Sequence, residues 1–357
     1  MISKVLSVLL AFTFLATQLP AQSQEVSPAS STQIAQAGAP LLYAGDFVVA
    51  EDGVIFISDA KDGNIKCYSP EGKLLNVISR RGPGPDELMG PSFCDYRAPY
   101  LSVVDVPKFK VLIYERKGRA DLAKVAEVPC MVCTSDVILS GKGVLVDAYF
   151  HSEDGKFCLT LRGFDDTIKP LLANYRRYGF KSEGEYNTSY LDLSMLTEQR
   201  GFLSVLGNRV YFVFDARPIV TSLNLDGSGI ATFRALSPNY REPRFNGRIR
   251  DAFKAGRGKE MGEERNKVSY ITGILTDDGV VGVLFSNYDA SSETWKLYLQ
   301  RYDLAGKFIS ESLLRDAVNY VNLFKYYFQR ESGILYVMAE KYGDETDDYL
   351  ILGYRLR

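Results

Sequence analysis

Val54-Ile55-Phe56-Ile57-Ser58-Asp59 is an apolar run that ends in an acid. Asn64-Ile65-Lys66-Cys67-Tyr68-Ser69 follows it, then the turn Pro70-Glu71-Gly72, then Lys73-Leu74-Leu75-Asn76-Val77-Ile78-Ser79. Each run is five to seven residues long, rich in β-branched and aromatic side chains, and bounded by Gly, Pro, Asp or Asn. That is the composition of strands joined by tight turns. The same order returns downstream. Residues 101–105 and 110–115 repeat it before Gly118. Residues 209–215, 219–224 and 230–234 repeat it around Asp226-Gly227-Ser228. Residues 280–286, 295–303 and 307–314 repeat it around Ala305-Gly306.

Equivalent strand-end residues give the period. Asp59, Asp105 and Asp147 are 46 and 42 residues apart. Asp215, Asn287 and Glu340 follow at intervals of 68, 72 and 53. A spacing of roughly 45 residues suits four-stranded propeller blades. The two long intervals coincide with polar inserts at about 175–199 and 237–267. Six units then start near residues 45, 93, 135, 200, 268 and 321. The sixth lacks an outer strand, because the chain ends after the run 349–356. The expected fold is an all-β, six-bladed β-propeller with an N-terminal strand, from within 31–43, closing the last blade. A pair of β-sandwiches is the structural alternative.

The N-terminus carries Lys4 and then a short apolar run, 5–16, ahead of Ala21. This predicts a signal peptide over 1–21, a flexible leader over 22–40 rich in Gln, Ser, Ala and Pro, and a propeller over 41–357. The protein is therefore expected to be exported to the periplasm or beyond. No membrane span is expected after signal cleavage, and a monomer is expected.

Composition narrows the chemistry. The chain has 357 residues, 42 Lys and Arg against 44 Asp and Glu, and 46% apolar residues. A formal charge of −2 argues against a nucleic-acid partner. The single histidine, His151, rules out multi-histidine metal cages and reads as a loop residue. No G-x-S-x-G, P-loop or H-E-x-x-H motif occurs. Among the five cysteines, Cys130-Met131-Val132-Cys133 has redox or metal spacing but lacks a second pair, so a structural role is expected. Cys67 and Cys158 sit in apolar runs and read as small core residues.

Residues 55–59 and 64–75 resemble an NHL repeat. The following Ile78-Ser79-Arg80-Arg81-Gly82-Pro83-Gly84-Pro85-Asp86-Glu87-Leu88 resembles the loop after the first blade of exported bacterial six-bladed β-propellers of the NHL/TolB-like type. The resemblance implies the fold and an envelope location. It implies no reaction, because fold does not fix function.

Several groups are candidates for a site. Arg80 and Arg81 beside Asp86 and Glu87 could grip a carboxylate or phosphate, or could pair with one another across an inter-blade crossing. Tyr175-Arg176-Arg177-Tyr178 has the composition of a binding surface. The insert 237–267 holds nine Lys and Arg against five acids, net +4, and reads as a solvated helical excursion. Asp59, Asp105, Asp147, Asp215 and Asn287 would repeat around one face of a ring. Oxygen ligands so arranged could hold Ca²⁺, or each residue could cap its own turn. The leading expectation is a non-catalytic propeller without cofactor that binds a protein, peptide or glycan. The alternative is a Ca-type metal-assisted hydrolase or lyase at the central channel.

Overall fold

A computed structural model describes residues 23–34, 40–129, 133–140, 143–148, 156–163, 168–176, 201–215, 217–242, 251–252, 254–342 and 347–356. Two strands come first, β1 (Gln24–Val26) and β2 (Ser30–Gln33). The first sheet is β3 (Ala44–Val49), β4 (Ile55–Asp59), β5 (Asn64–Tyr68) and β6 (Leu74–Ile78), paired in chain order and antiparallel. Every residue of β4 and β5 is buried, whereas β6 shows exposed central positions. Middle strands have a sheet packed on both faces, so they are apolar throughout, while the outer strand meets water.

The same plan repeats. The second sheet is β7 (Pro91–Arg97), β8 (Tyr100–Asp105), β9 (Lys110–Arg116) and β10 (Leu122–Pro129). The third is β11 (Cys133–Ser140), β12 (Gly143–Ala148), β13 (Lys156–Arg162) and β14 (Ile168–Arg176). The fourth is β15 (Gly201–Leu206), β16 (Arg209–Phe214), β17 (Arg217–Asn224) and β18 (Ala231–Arg234). A helix, α1 (Gly258–Arg265), precedes β19 (Tyr270–Asp277), β20 (Val280–Asp289), β21 (Thr294–Asp303) and β22 (Phe308–Asn319). Last come β23 (Lys325–Gln329), β24 (Ile334–Tyr342) and β25 (Asp347–Arg355). The first strand of each sheet, β3, β7, β11, β15, β19 and β23, lies beside the first strand of the next, and β23 returns to β3. Those strands surround one channel. Between the sheets lie apolar cores, such as Phe56 and Val103 with Tyr96, and Tyr211 with Ile271 and Phe285.

Two parts of the sequence expectation need correction. Six like four-stranded blades, the last closed by a single N-terminal strand, is not the plan built. Five sheets keep to four strands, but the sheet of β19–β22 has five, because β1 adds to β22 in parallel. The N-terminal segment also serves two sheets, since β2 pairs antiparallel with β25, Ser30 opposite Gly353 and Gln33 opposite Leu350. The second correction concerns the leader expected over 22–40, which contains both strands. Its polar side chains gave only a modest strand signal, yet pairing at a free sheet edge needs only main-chain N–H and C=O groups. Gly72 shows how tightly β2 sits. Its φ is +80°, and a Cβ there would collide with the Gln33 carbonyl.

The expected inserts join sheet to sheet. Residues 177–200 link β14 to β15, and 235–269 link β18 to β19. Both therefore leave from the face that carries the crossing 79–90, here termed the crossing face. The strand turns at 50–54, 98–99 and 330–333 lie on the opposite, turn face. Helix α1 buries no residue, consistent with its charged sequence. Tyr240, earlier in that insert, is buried edge-on against Phe285 at 5.5 Å. Among the described residues, no helix is long and apolar enough to cross a membrane. The signal segment, His151 and Cys130 lie outside the described residues.

Candidate functional site

The inner strands enclose a cavity of about 720 Å³ that runs from Tyr43, Asp46 and Lys325 near the crossing face to Glu51, Arg97 and Arg330 near the turn face. Strand β23 supplies most of its cross-links. Tyr326 donates its hydroxyl to the Ile274 carbonyl and accepts the Ile274 N–H, both at 3.0 Å. Gly273 permits this approach, since a Cβ there would strike the Tyr326 ring. Tyr327 reaches the second sheet and donates to the Tyr96 carbonyl at 3.0 Å. Gln329 donates to the Ala50 carbonyl at 2.8 Å. Arg330 donates to Thr276 Oγ1 at 3.1 Å and to the Val205 carbonyl. A tight ring requires such ties, because neighbouring sheets share no backbone ladder.

Two aspartates on inner strands make similar links. Asp46 accepts the Cys94 N–H at 3.0 Å, and Asp95 accepts the Leu139 N–H at 2.8 Å. Burial pushes the Asp95 carboxyl above its usual range, against the pull of that N–H and of Arg97. Burial, and then the Asp95 charge, hold the Tyr327 hydroxyl well above the ordinary tyrosine value. The Arg330 guanidinium is pulled down first by burial and then by the neighbouring Arg97 charge.

The residues singled out by sequence lie elsewhere. Asp59 ends β4 and is fully buried. It accepts the N–H groups of Leu42, Tyr43, Lys61 and Asp62 at 2.8 to 3.2 Å, and it meets Lys66 Nζ at 2.6 Å. Lys66 is buried too and also contacts Asp62 and the Pro40 carbonyl. Asp105 ends β8 and accepts the Met89 and Gly90 N–H groups at 2.9 and 3.0 Å. Asn287 accepts the Ser269 hydroxyl at 2.6 Å and donates to the Asn239 carbonyl. Asp215 is buried just beyond the end of β16. Asp147 lies in β12, and its side chain is outside the described residues. All five lie on, or just beyond, second strands rather than first strands. Asp59, Asp105, Asp215 and Asn287 do not line the channel. The carboxylates of Asp59 and Asp105 hold main-chain N–H groups instead: Asp59 those of its own turn and of the segment entering β3, Asp105 those at the end of the crossing that enters β7. No group of three or more potential metal-ligating side chains occurs among the described residues.

The Arg80–Glu87 loop is an inter-blade crossing whose charges are each engaged, Arg80 and Glu87 with one another and Arg81 and Asp86 with groups outside the loop. Arg80 Nε lies 2.8 Å from Glu87 Oε1, and Arg81 donates to the Lys61 carbonyl at 2.6 Å. Asp86 pairs with Lys124 at 2.9 Å. Glu87 accepts the Gly84 N–H at 2.9 Å, a bond that holds its carboxyl below the usual range ahead of the contribution from Arg80. Tyr175 and Arg176 end β14, an outer strand, while Arg177 and Tyr178 lie outside the described residues. Cys67 is a buried free thiol that burial pushes to about 12, and Cys94 is a half-buried cysteine on the channel wall.

Sequence reasoning missed the channel residues. Their available signal was polarity inside strands that should otherwise be apolar. Asp46 and Asp95 interrupt β3 and β7, and Arg97 and Arg330 stand at or just beyond the ends of β7 and β23.

The fold has solved counterparts. A member of the DUF4221 family from Bacteroides vulgatus superposes with a TM-score of 0.62 at 12% identity, covering 92% of this chain and 97% of its own. A protein from Bacteroides fragilis, named as an exported protein, gives 0.57 at 13% identity, covering 96% and 98%. At these identities the likeness shows the fold, which is an all-β propeller. No family profile matches the sequence, and no curated protein is similar to it.

Proposed function

We propose that the protein is an exported, non-catalytic propeller of the NHL/TolB-like type that binds a peptide, protein segment or glycan in its central channel. The observation that carries the reading is the 720 Å³ cavity, which converges polar and aromatic groups from several inner strands. That size is typical of a ligand site, as is a mixture of aromatic walls with a few placed polar groups. The signal-like N-terminus supports export, as does the likeness to a protein named as exported.

Cys94 makes the reading testable. The purified protein is screened against peptide and oligosaccharide arrays, and hits are then scored for protection of Cys94 from maleimide alkylation by peptide mapping. A ligand of the channel shields Cys94, and prior attachment of a bulky maleimide at Cys94 abolishes its binding. Hits that leave Cys94 alkylation unchanged, and that bind the blocked protein equally well, would overturn the channel reading.

A further inference from the structure

Resting on the channel reading, we infer that the turn-face end of the cavity receives the C-terminal carboxylate of a peptide, held by Arg97 and by the Nη1 edge of Arg330. Both guanidinium groups line the cavity and are only partly exposed. Arg330 directs Nε and Nη2 to Thr276 and Val205, which leaves Nη1 without a bond. No hydrogen bond or ion pair engages the Arg97 side chain among the described residues. Four arginines elsewhere, Arg80, Arg116, Arg234 and Arg257, each meet a carboxylate.

Two neighbouring cations in a partly dry wall repel one another, and Arg97 does depress the Arg330 proton affinity. The acids close by offer incomplete compensation. Glu331, Asp277 and Asp95 all act on Arg330 through space, and Asp95 also on Arg97, yet no ion pair joins any of them to either guanidinium among the described residues. A carboxylate entering beside Arg97 would be met by the parallel N–H donors of its fork, with Arg330 Nη1 as a further single donor.

The same acids choose among anions. A polyanionic glycan would lay further carboxylates beside Asp46, Glu51 and Asp95. A peptide end brings one negative charge, with a neutral backbone along the rest of the channel. Toward the crossing face that backbone would run past Tyr326, Tyr43 and Lys325. The volume exceeds what a carboxylate alone requires, so several residues of the peptide would be enclosed.

The test uses the full mature chain, a library of N-acetylated pentapeptides as free acids and as C-terminal amides, and trigalacturonate. Retained peptides are titrated calorimetrically against wild type and Arg97→Met. Free acids should bind, and amidation should weaken them about tenfold, the value of a charge-assisted hydrogen-bond pair. Arg97→Met should cost a similar factor and erase the difference between acid and amide, with melting temperature unchanged. Equal binding of acid and amide, or an Arg97→Met protein that still discriminates them, overturns the inference. Trigalacturonate bound through Arg97 while peptides are ignored also overturns it. Amides that protect Cys94 as well as acids do would sink the carboxylate inference and leave the channel reading standing. If no probe protects Cys94, both fall.

Discussion

The crossing loop 79–90 and the turn-face mouth of the channel each carry two arginines among acids, and they differ in what those charges touch. In the loop, Arg80 meets Glu87, Arg81 meets a carbonyl, and Asp86 meets Lys124. The loop folds onto itself, held further by Lys108 Nζ on the Gly84 and Glu87 carbonyls at 2.6 Å. At the channel mouth, Arg97 has no such partner and Arg330 is only partly engaged. Charge density alone therefore does not distinguish the two regions; what distinguishes them is whether the charge is engaged.

The comparison can be broken by variants that separate stability from binding. The largest loss is expected for deletion of 23–34, which strips the outer strand from β25 and the added strand from β22. Thermal melting should fall by more than for any single substitution below, and an unchanged melt would remove β1 and β2 from the ring's stability. Next is Asp59→Ala, which leaves buried Lys66 short of a partner and several N–H groups without an acceptor. Breaking a buried pair in this way costs about 3–5 kcal/mol, read by urea unfolding. Tyr327→Phe removes one cross-channel bond and should cost about 1 kcal/mol without moving the neighbouring strands. A loss near zero would mean that β23 does not hold the second sheet.

Arg80→Ala is placed last among the substitutions. Arg80 is largely exposed, so both stability and ligand binding should stay near wild type. Binding lost in Arg80→Ala and kept in Arg97→Met would reverse the comparison. A finer effect is expected in acid. The Ser291 side chain and N–H hold the Asp289 carboxyl at about 2. Its folded value is depressed, so its contribution is present above the ordinary carboxylate value of 3.8 and fades as pH falls through about 2. NMR titration should place the Asp289 midpoint near 2, and Asp289→Asn should remove that part of the acid limb.

Much of the architecture was legible. Runs such as 54–59 and 64–69 are strands because strands buried on both faces need continuous apolar residues. Gly72, Gly227 and Gly306 sit at positive φ in the turns before outer strands, where a glycine signal is strongest. The two N-terminal strands were not legible in the same way. Gln24–Val26 and Ser30–Gln33 are polar and short, and they are strands only because β22 and β25 offer them an edge. The recurring acids were visible as a pattern, but a pattern along the chain does not tell a loop cap from a ligand.

The sequence by itself determined the strand units, their turns and the places where inserts interrupt them, because those depend on local propensity and on alternation within a few residues. Tertiary structure alone decided which strands face the channel, that Asp59 and Asp105 hold the segments entering β3 and β7, and that Arg97 and Arg330 come together. Those two arginines are 233 positions apart in the chain. Only closure of the ring, through contacts such as β23 on β3, brings them to one mouth.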